Sequence, residues 1–108
     1  MKRDLLRIAD LATEEIDAVL ALAGRLKKAL KEGKQHPLLA GRTLAMIFEK
    51  PSLRTRVTFE VGMGQLGGAV ISLAPGDIHF GERETAGDIA RNLERWVDLI
   101  MALSLIHI

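Results

Sequence analysis

The stretch Arg42–Gly68, RTLAMIFEKPSLRTRVTFEVGMGQLGG, decides how this chain folds. Thr43 to Phe48 is a short, continuous apolar run, the pattern of a strand buried on both faces. From Ser52 to Leu66 the spacing turns helical: Val57 pairs with Val61, and Phe59 with Met63 and Leu66. Pro51 lies just before the helix start, Ser52 at its N-cap, and Gly67-Gly68 ends it. The amides of Leu53, Arg54 and Thr55 then face outward at the positive end of a helix, a ready phosphate site. Ser52 and Thr55 add hydroxyl donors, and Arg54 adds a planar fork that fits a phosphate bidentately. Charge-assisted bonds contribute about 1.5–3 kcal/mol each, against about 0–1 kcal/mol for a surface ion pair. The alternative is that Arg54 and Arg56 are solvated or pair with Glu49 and Glu60. A strand followed by Pro, Ser, Arg, Thr and Arg favours the anion site. Arg56, further into the first turn, is the more structural of the two arginines, and Leu53 offers only its backbone amide.

Working outward, Thr13 to Lys31 reads as an amphipathic helix, with Ile16, Val19, Leu20, Ala23, Leu26 and Leu30 on one face. Thr13 is the expected cap, Glu14, Glu15 and Asp17 suit the positive end, and Lys27, Lys28 and Lys31 the negative end. Gly33 is the expected stop, and His36 an ordinary loop residue. Beyond Gly68, Ala69 to Ala74 is a second buried-strand candidate, closed by Pro75-Gly76-Asp77. A polar loop, His79 to Glu84, leads to a helix from Ala86, with Thr85 and Asp88 in a capping-box pattern and Ile89, Leu93 and Trp96 along one side. Val97 to Ala102 reads as a third strand. This alternation of helix and strand predicts an α/β fold, a parallel sheet flanked by helices. Its ligand is expected beyond the carboxyl ends of the strands, where Lys50 to Arg56 falls. The sheet is small and its last strand lacks a covering helix, so the domain reads as incomplete.

At 108 residues there is room for one small domain or a piece of a larger one. A net charge of +1 argues against a nucleic-acid-binding surface. The absence of cysteine excludes a disulfide framework and a thiolate metal site. The opening MKRDLL lacks a secretory apolar segment, and no run nears the roughly 18 apolar residues of a membrane span. The expectation is a cytoplasmic protein without nucleic-acid or membrane partners.

FEKPSLRTRVTFEVGMGQLGG resembles the carbamoyl-phosphate signature of the aspartate and ornithine carbamoyltransferases, whose usual core is Ser-Thr-Arg-Thr-Arg followed by a Ser/Thr-Phe-Glu segment. Pro37 to Lys50, Gln65 to Gly68 and His79 to Asp98 resemble the same family in the same order, so the likeness runs from about residue 3 to 102. The FEKPS and GQLGG wording is nearer the ornithine than the aspartate branch, and Leu53 stands where Thr is usual. The resemblance implies a Rossmann-like carbamoyl-phosphate domain of a two-domain homotrimeric enzyme that moves a carbamoyl group from carbamoyl phosphate to ornithine, giving citrulline for arginine biosynthesis. It assigns phosphate binding to Ser52, Leu53, Arg54 and Thr55, with Arg54 the catalytic residue that stabilises the leaving phosphate. His79 matches a position where many members carry Gln, on a loop reaching the neighbouring subunit's site, and the resemblance counts it among the carbamoyl-phosphate-binding residues. No metal, cofactor or covalent intermediate is implied; catalysis comes from positioning and from donors aimed at developing charge. Glu82, Arg83 and Glu84 read as a solvated loop or subunit contact, Trp96 as packing between helix and sheet, and Gly62 and Gly64 as close backbone approach or subunit packing.

After VDLIMA the family continues with Arg and Thr, a His-Pro-x-Gln segment and the amino-acid-binding domain. Here the chain continues Leu103-Ser104-Leu105-Ile106-His107-Ile108, the translation of CTGTCTCTTATACACATC, a transposon end used in sequencing libraries. Residues 103–108 are therefore expected to be a non-native tail, residues 1–102 a partial carbamoyl-phosphate domain, and the second domain absent, leaving the fragment inactive alone. Two alternatives stand beside the ornithine reading: an aspartate or other amine carbamoyltransferase, and a stand-alone phosphate- or anion-binding module.

Overall fold

Thr43 to Phe48 forms β1, the middle strand of a three-stranded parallel sheet ordered β2-β1-β3. The computed structural model describes residues 4–49, 52–74 and 86–103. The chain divides into two units, Met1–His36 and Pro37–Ile108.

The first unit holds a 3₁₀ turn, Ile8–Asp10, and helix α1, Thr13–Lys31, with the bounds its periodicity predicts. Its cap differs from expectation. Ala12 is the N-cap and Thr13 the first helical residue; the Glu15 carboxylate reaches back to accept the Ala12 N–H at 2.8 Å. The acidic residue thus closes the helix start from within the first turn, where a Thr13 hydroxyl cap was expected. At the other end Gly33, at φ +72°, stops the helix. Gly33 N–H donates to Leu30 O at 3.1 Å and Lys34 N–H to Ala29 O at 2.9 Å, a Schellman closure. No residue of α1 is buried; Val19 and Leu20 on its apolar face are exposed.

In the second unit β1 is followed by α2 (Leu53–Gln65), β2 (Ala69–Leu73), α3 (Ala86–Trp96) and β3 (Leu99–Leu103). Leu44 pairs with Val70 on one side and with Leu99 on the other, so β1 has neighbours at both edges. Alternate side chains Leu44, Met46 and Phe48 meet Met63 of α2 in one apolar cluster, bordered by Leu39, Val70, Met101 and Leu103. Met46 and Ala45, pointing to opposite faces, are both fully buried. The continuous apolar run of β1 follows from this double cover. β2 differs from the buried strand expected: it is an edge strand, and Ile71 is exposed. β3 is the opposite edge, in keeping with a last strand that lacks a covering helix, and Leu99 and Ile100 are exposed. On α3, Ile89 is buried and Leu93 half-buried, but Trp96 is 71 % exposed rather than packed between helix and sheet. It is the last residue of the helix, beyond the part that Ile89 anchors.

The third strand starts later than its apolar run because Asp98 has another task. Its N–H donates to Thr43 O at 3.0 Å, Oδ2 accepts the Thr43 N–H at 2.9 Å, and Oδ1 accepts from Arg42 Nη1 at 3.2 Å. One residue thus brackets the first residue of β1 and sets β3 in register. The Thr43 N–H and then the Arg42 guanidinium hold the Asp98 carboxyl below its ordinary value.

The turn from α2 into β2 is a second Schellman closure: Gly67 N–H donates to Gly64 O at 3.0 Å and Gly68 N–H to Met63 O at 2.8 Å. Gly67 sits at φ +84°, and a Cβ there would lie 3.1 Å from Pro37 Cβ. Gly62 and Gly64 do not repay the expected close backbone approach within this chain: a Cβ at either meets nothing within 4 Å among the described residues.

Two outcomes follow. Gly67→Ala lowers stability by about 1–2 kcal/mol through left-handed strain, whereas Gly64→Ala, on the open side of α2, is neutral or stabilising; urea unfolding of the two variants separates them. Because the folded Asp98 is the stronger acid, its contribution is complete above the unfolded carboxylate value and lost as pH falls through the folded one. Asp98→Asn therefore flattens the acid limb of the stability profile, measured by circular dichroism between neutral and strongly acidic pH.

Candidate anion site at the start of α2

The sheet topology fixes where the site lies. From β1 the chain crosses through α2 to β2 on one side, then returns through α3 to β3 on the other. The strand order reverses between β1 and β3, and the crevice at their carboxyl ends is where ligands bind in such sheets. There Glu49 N–H donates to Leu103 O at 3.2 Å, tying the two strand ends together. The start of α2 follows three residues after Glu49, so β1, the best-buried strand, anchors it.

Ser52 is the N-cap of α2, with extended backbone at φ −141° and ψ 99°. Its carbonyl accepts the first helical bond, from Arg56 N–H at 3.1 Å. Its hydroxyl makes no capping bond. The N–H groups of Leu53, Arg54 and Thr55, which precede that bond, have no described partner and stay open. α1 fills its own N-terminus with Glu14 and Glu15; the first turn of α2 contains no acidic residue and two arginines instead. Cations near a helix N-terminus oppose the macrodipole by about 0.3–1 kcal/mol each, an arrangement that an anion reverses in sign.

Neither Arg54 nor Arg56 makes a side-chain hydrogen bond or ion pair among the described residues, so pairing with Glu49 and Glu60 is not what holds them. Both are exposed, while Ser52 and Thr55 are half-buried. Leu53 is 70 % exposed and contributes an apolar side chain beside the open amides. The structure therefore brings Ser52, Leu53, Arg54 and Thr55 to one helix end. His79, Glu82, Arg83, Glu84, Lys50 and Pro51, and the Thr85 half of the expected capping box, lie outside the described residues. Asp88, the other half, accepts from Arg91 Nη1 at 2.9 Å. One contact the sequence reading missed is the Thr58 hydroxyl, which donates to the Arg54 carbonyl at 2.7 Å. The available signal was a threonine four residues after Arg54 on one helix.

Among the described residues no group of three or more His, Asp or Glu side chains could hold a metal ion. No described helix is long and apolar enough to cross a membrane. What the helix end offers is three peptide donors, two hydroxyls and a guanidinium, the donor set for a phosphate-like anion.

The family described as "Aspartate/ornithine carbamoyltransferase, carbamoyl-P binding domain" matches residues 3–104. An ornithine carbamoyltransferase of Anoxybacillus flavithermus is 50 % identical over 105 residues, covering 97 % of this chain and 33 % of that protein. The structure of ornithine carbamoyltransferase from Pyrococcus furiosus is similar with a TM-score of 0.89 and 52 % identity, over 93 % of this chain and 32 % of that one. An aspartate transcarbamoylase of Trypanosoma cruzi, solved with carbamoyl aspartate and phosphate, has a TM-score of 0.82 at 25 % identity, over 93 % of this chain and 32 % of that one. The chain spans about one third of the length of these relatives. It belongs to the aspartate/ornithine carbamoyltransferase family, within the carbamoyl-phosphate-binding domain.

Proposed function

We propose that this chain is the carbamoyl-phosphate-binding part of an ornithine carbamoyltransferase, an enzyme of arginine biosynthesis acting as a cytoplasmic homotrimer. The observation that carries the reading is the start of α2: three open amides and two arginines without described partners, at the carboxyl end of the central strand. The ornithine name of the more similar relatives favours that acceptor.

In the proposed reaction the δ-amine of ornithine attacks the carbonyl carbon of carbamoyl phosphate. A C–N bond forms, the C–O bond to phosphate breaks with its electron pair leaving on phosphate, and the amine loses a proton. Ser52, the amides of Leu53 and Arg54, and Thr55 hold the phosphate. Arg54 stabilises the charge that grows on it as it departs, a fixed donor aimed at developing charge. Arg56 has a secondary, orienting role, and His79 is proposed to reach carbamoyl phosphate across a subunit boundary. The amine site belongs to the remaining two thirds of the relatives' length, so the isolated chain binds phosphate without making citrulline.

An aspartate acceptor is the second reading, supported by the likeness to the Trypanosoma cruzi transcarbamoylase. Joining residues 4–102 to the second domain of the Pyrococcus furiosus relative tests the carbamoyl-phosphate half, and citrulline from ornithine is expected. The acceptor is set outside this chain, so assay of the full-length parent protein with each amine separates the two readings: carbamoyl aspartate from aspartate would overturn the ornithine assignment. A stand-alone anion-binding module predicts that the isolated chain binds phosphate while the joined protein transfers nothing to either amine.

Calorimetric titration of the isolated chain with inorganic phosphate at low salt tests the site itself. Arg54→Ala is expected to weaken binding by at least tenfold, the equivalent of one charge-assisted bond of about 1.5–3 kcal/mol. Leu53→Thr, restoring a hydroxyl to the rim, is expected to tighten it severalfold, as a neutral bond contributes about 0.5–1.5 kcal/mol. Unchanged affinity in Arg54→Ala would remove Arg54 from the site.

A further inference from the structure

We infer that Thr58 is a positioning residue for the anion site, acting through the peptide that joins Arg54 to Thr55; the inference rests on the proposed reading of that site. The Thr58 hydroxyl donates to the Arg54 carbonyl oxygen at 2.7 Å. That oxygen and the Thr55 N–H belong to one peptide unit, and the Thr55 N–H is one of the three open donors. The same carbonyl is the regular helical acceptor for the Thr58 N–H, so it receives two donors from one residue.

Linked hydrogen bonds polarise one another by about 10–30 % each. Electron density drawn to the Arg54 oxygen leaves the Thr55 proton more positive and a better partner for an anion. The second bond also holds the plane of that peptide, and with it the direction of the Thr55 N–H. A threonine bonded back to the carbonyl four residues earlier is ordinary in helices and slightly destabilising. Its place here gives it a role: among the three open amides, the Thr55 N–H alone shares a peptide with the carbonyl that Thr58 grips. The Thr58 side chain is exposed, so it serves no core packing.

Valine keeps the branched shape and deletes the donor. The test is a titration of the isotopically labelled chain with inorganic phosphate, following the amide signals of Leu53, Arg54 and Thr55 in wild type, Thr58→Val and Thr58→Ser. Thr58→Val is expected to bind phosphate about two- to threefold more weakly. Its phosphate-induced shift should shrink at Thr55 and persist at Leu53 and Arg54, with helix content and thermal midpoint not reduced. Thr58→Ser should restore both affinity and the Thr55 shift. Wild-type affinity and a wild-type Thr55 shift in Thr58→Val would overturn the inference and leave the site standing, as would a loss that serine does not rescue. A wild-type chain whose three amides ignore phosphate would overturn the site and the inference with it.

Discussion

Three peptide N–H groups at the start of α2 have no partner among the described residues, and the second unit is arranged so that they face one place. The central strand β1, buried on both faces, brings the chain to the carboxyl edge of the sheet; the N-cap at Ser52 turns it; and the first turn carries arginines where α1 carries glutamates. An isolated domain gains nothing from cations at a positive helix end. An anion would reverse the sign of that cost, which is the ground for the proposed site; the surrounding packing carries no such signal.

The two ends of β1 divide their tasks. At the amino end Asp98 and Arg42 grip Thr43, fixing the strand in the sheet by charge and hydrogen bonding. At the carboxyl end the polar groups of α2 are left open. Stability is thus concentrated away from the site, and the apolar cluster of Leu44, Met46, Phe48 and Met63 lies between. That separation lets the exposed helix end keep uncompensated donors without loosening the sheet.

Much of this was legible in the sequence, for physical reasons that can be named. TLAMIF announces a doubly covered strand because Leu44 to Phe48 are all apolar, and β1 has the expected bounds. Ser52 as cap and Gly67 as stop follow from local backbone chemistry alone, and both hold. What failed depended on neighbours. Ala69 to Ala74 read as a buried strand, yet strand order makes β2 an edge, and no local pattern reports order. Trp96 looked like core because it is large and follows Ile89 and Leu93 at helical spacing, but burial needs an element above it. The capping role of Glu15 and the grip of Asp98 were missed because each rests on a hydrogen bond that composition does not reveal. At the candidate site, the motif order nominated the residues, and their lack of partners among the described residues became visible only in three dimensions.

The register of the sheet also orders events in time. Asp98 meets Thr43 across 55 positions of chain, whereas β2 joins β1 across about half that span. Loop-closure entropy grows with the length enclosed, and distant pairings are slow to be found. The parallel β1–α2–β2 crossover unit, which carries the three open amides described, is therefore the portion whose closure costs less, with β3 completing the opposite edge across the longer loop. Pulse-labelled hydrogen exchange would register this as protection at Val70 and Ile71 before Ile100 and Met101. The anion could then find its donors while the sheet is still only two strands wide, and ligand capture would itself favour the last strand's arrival.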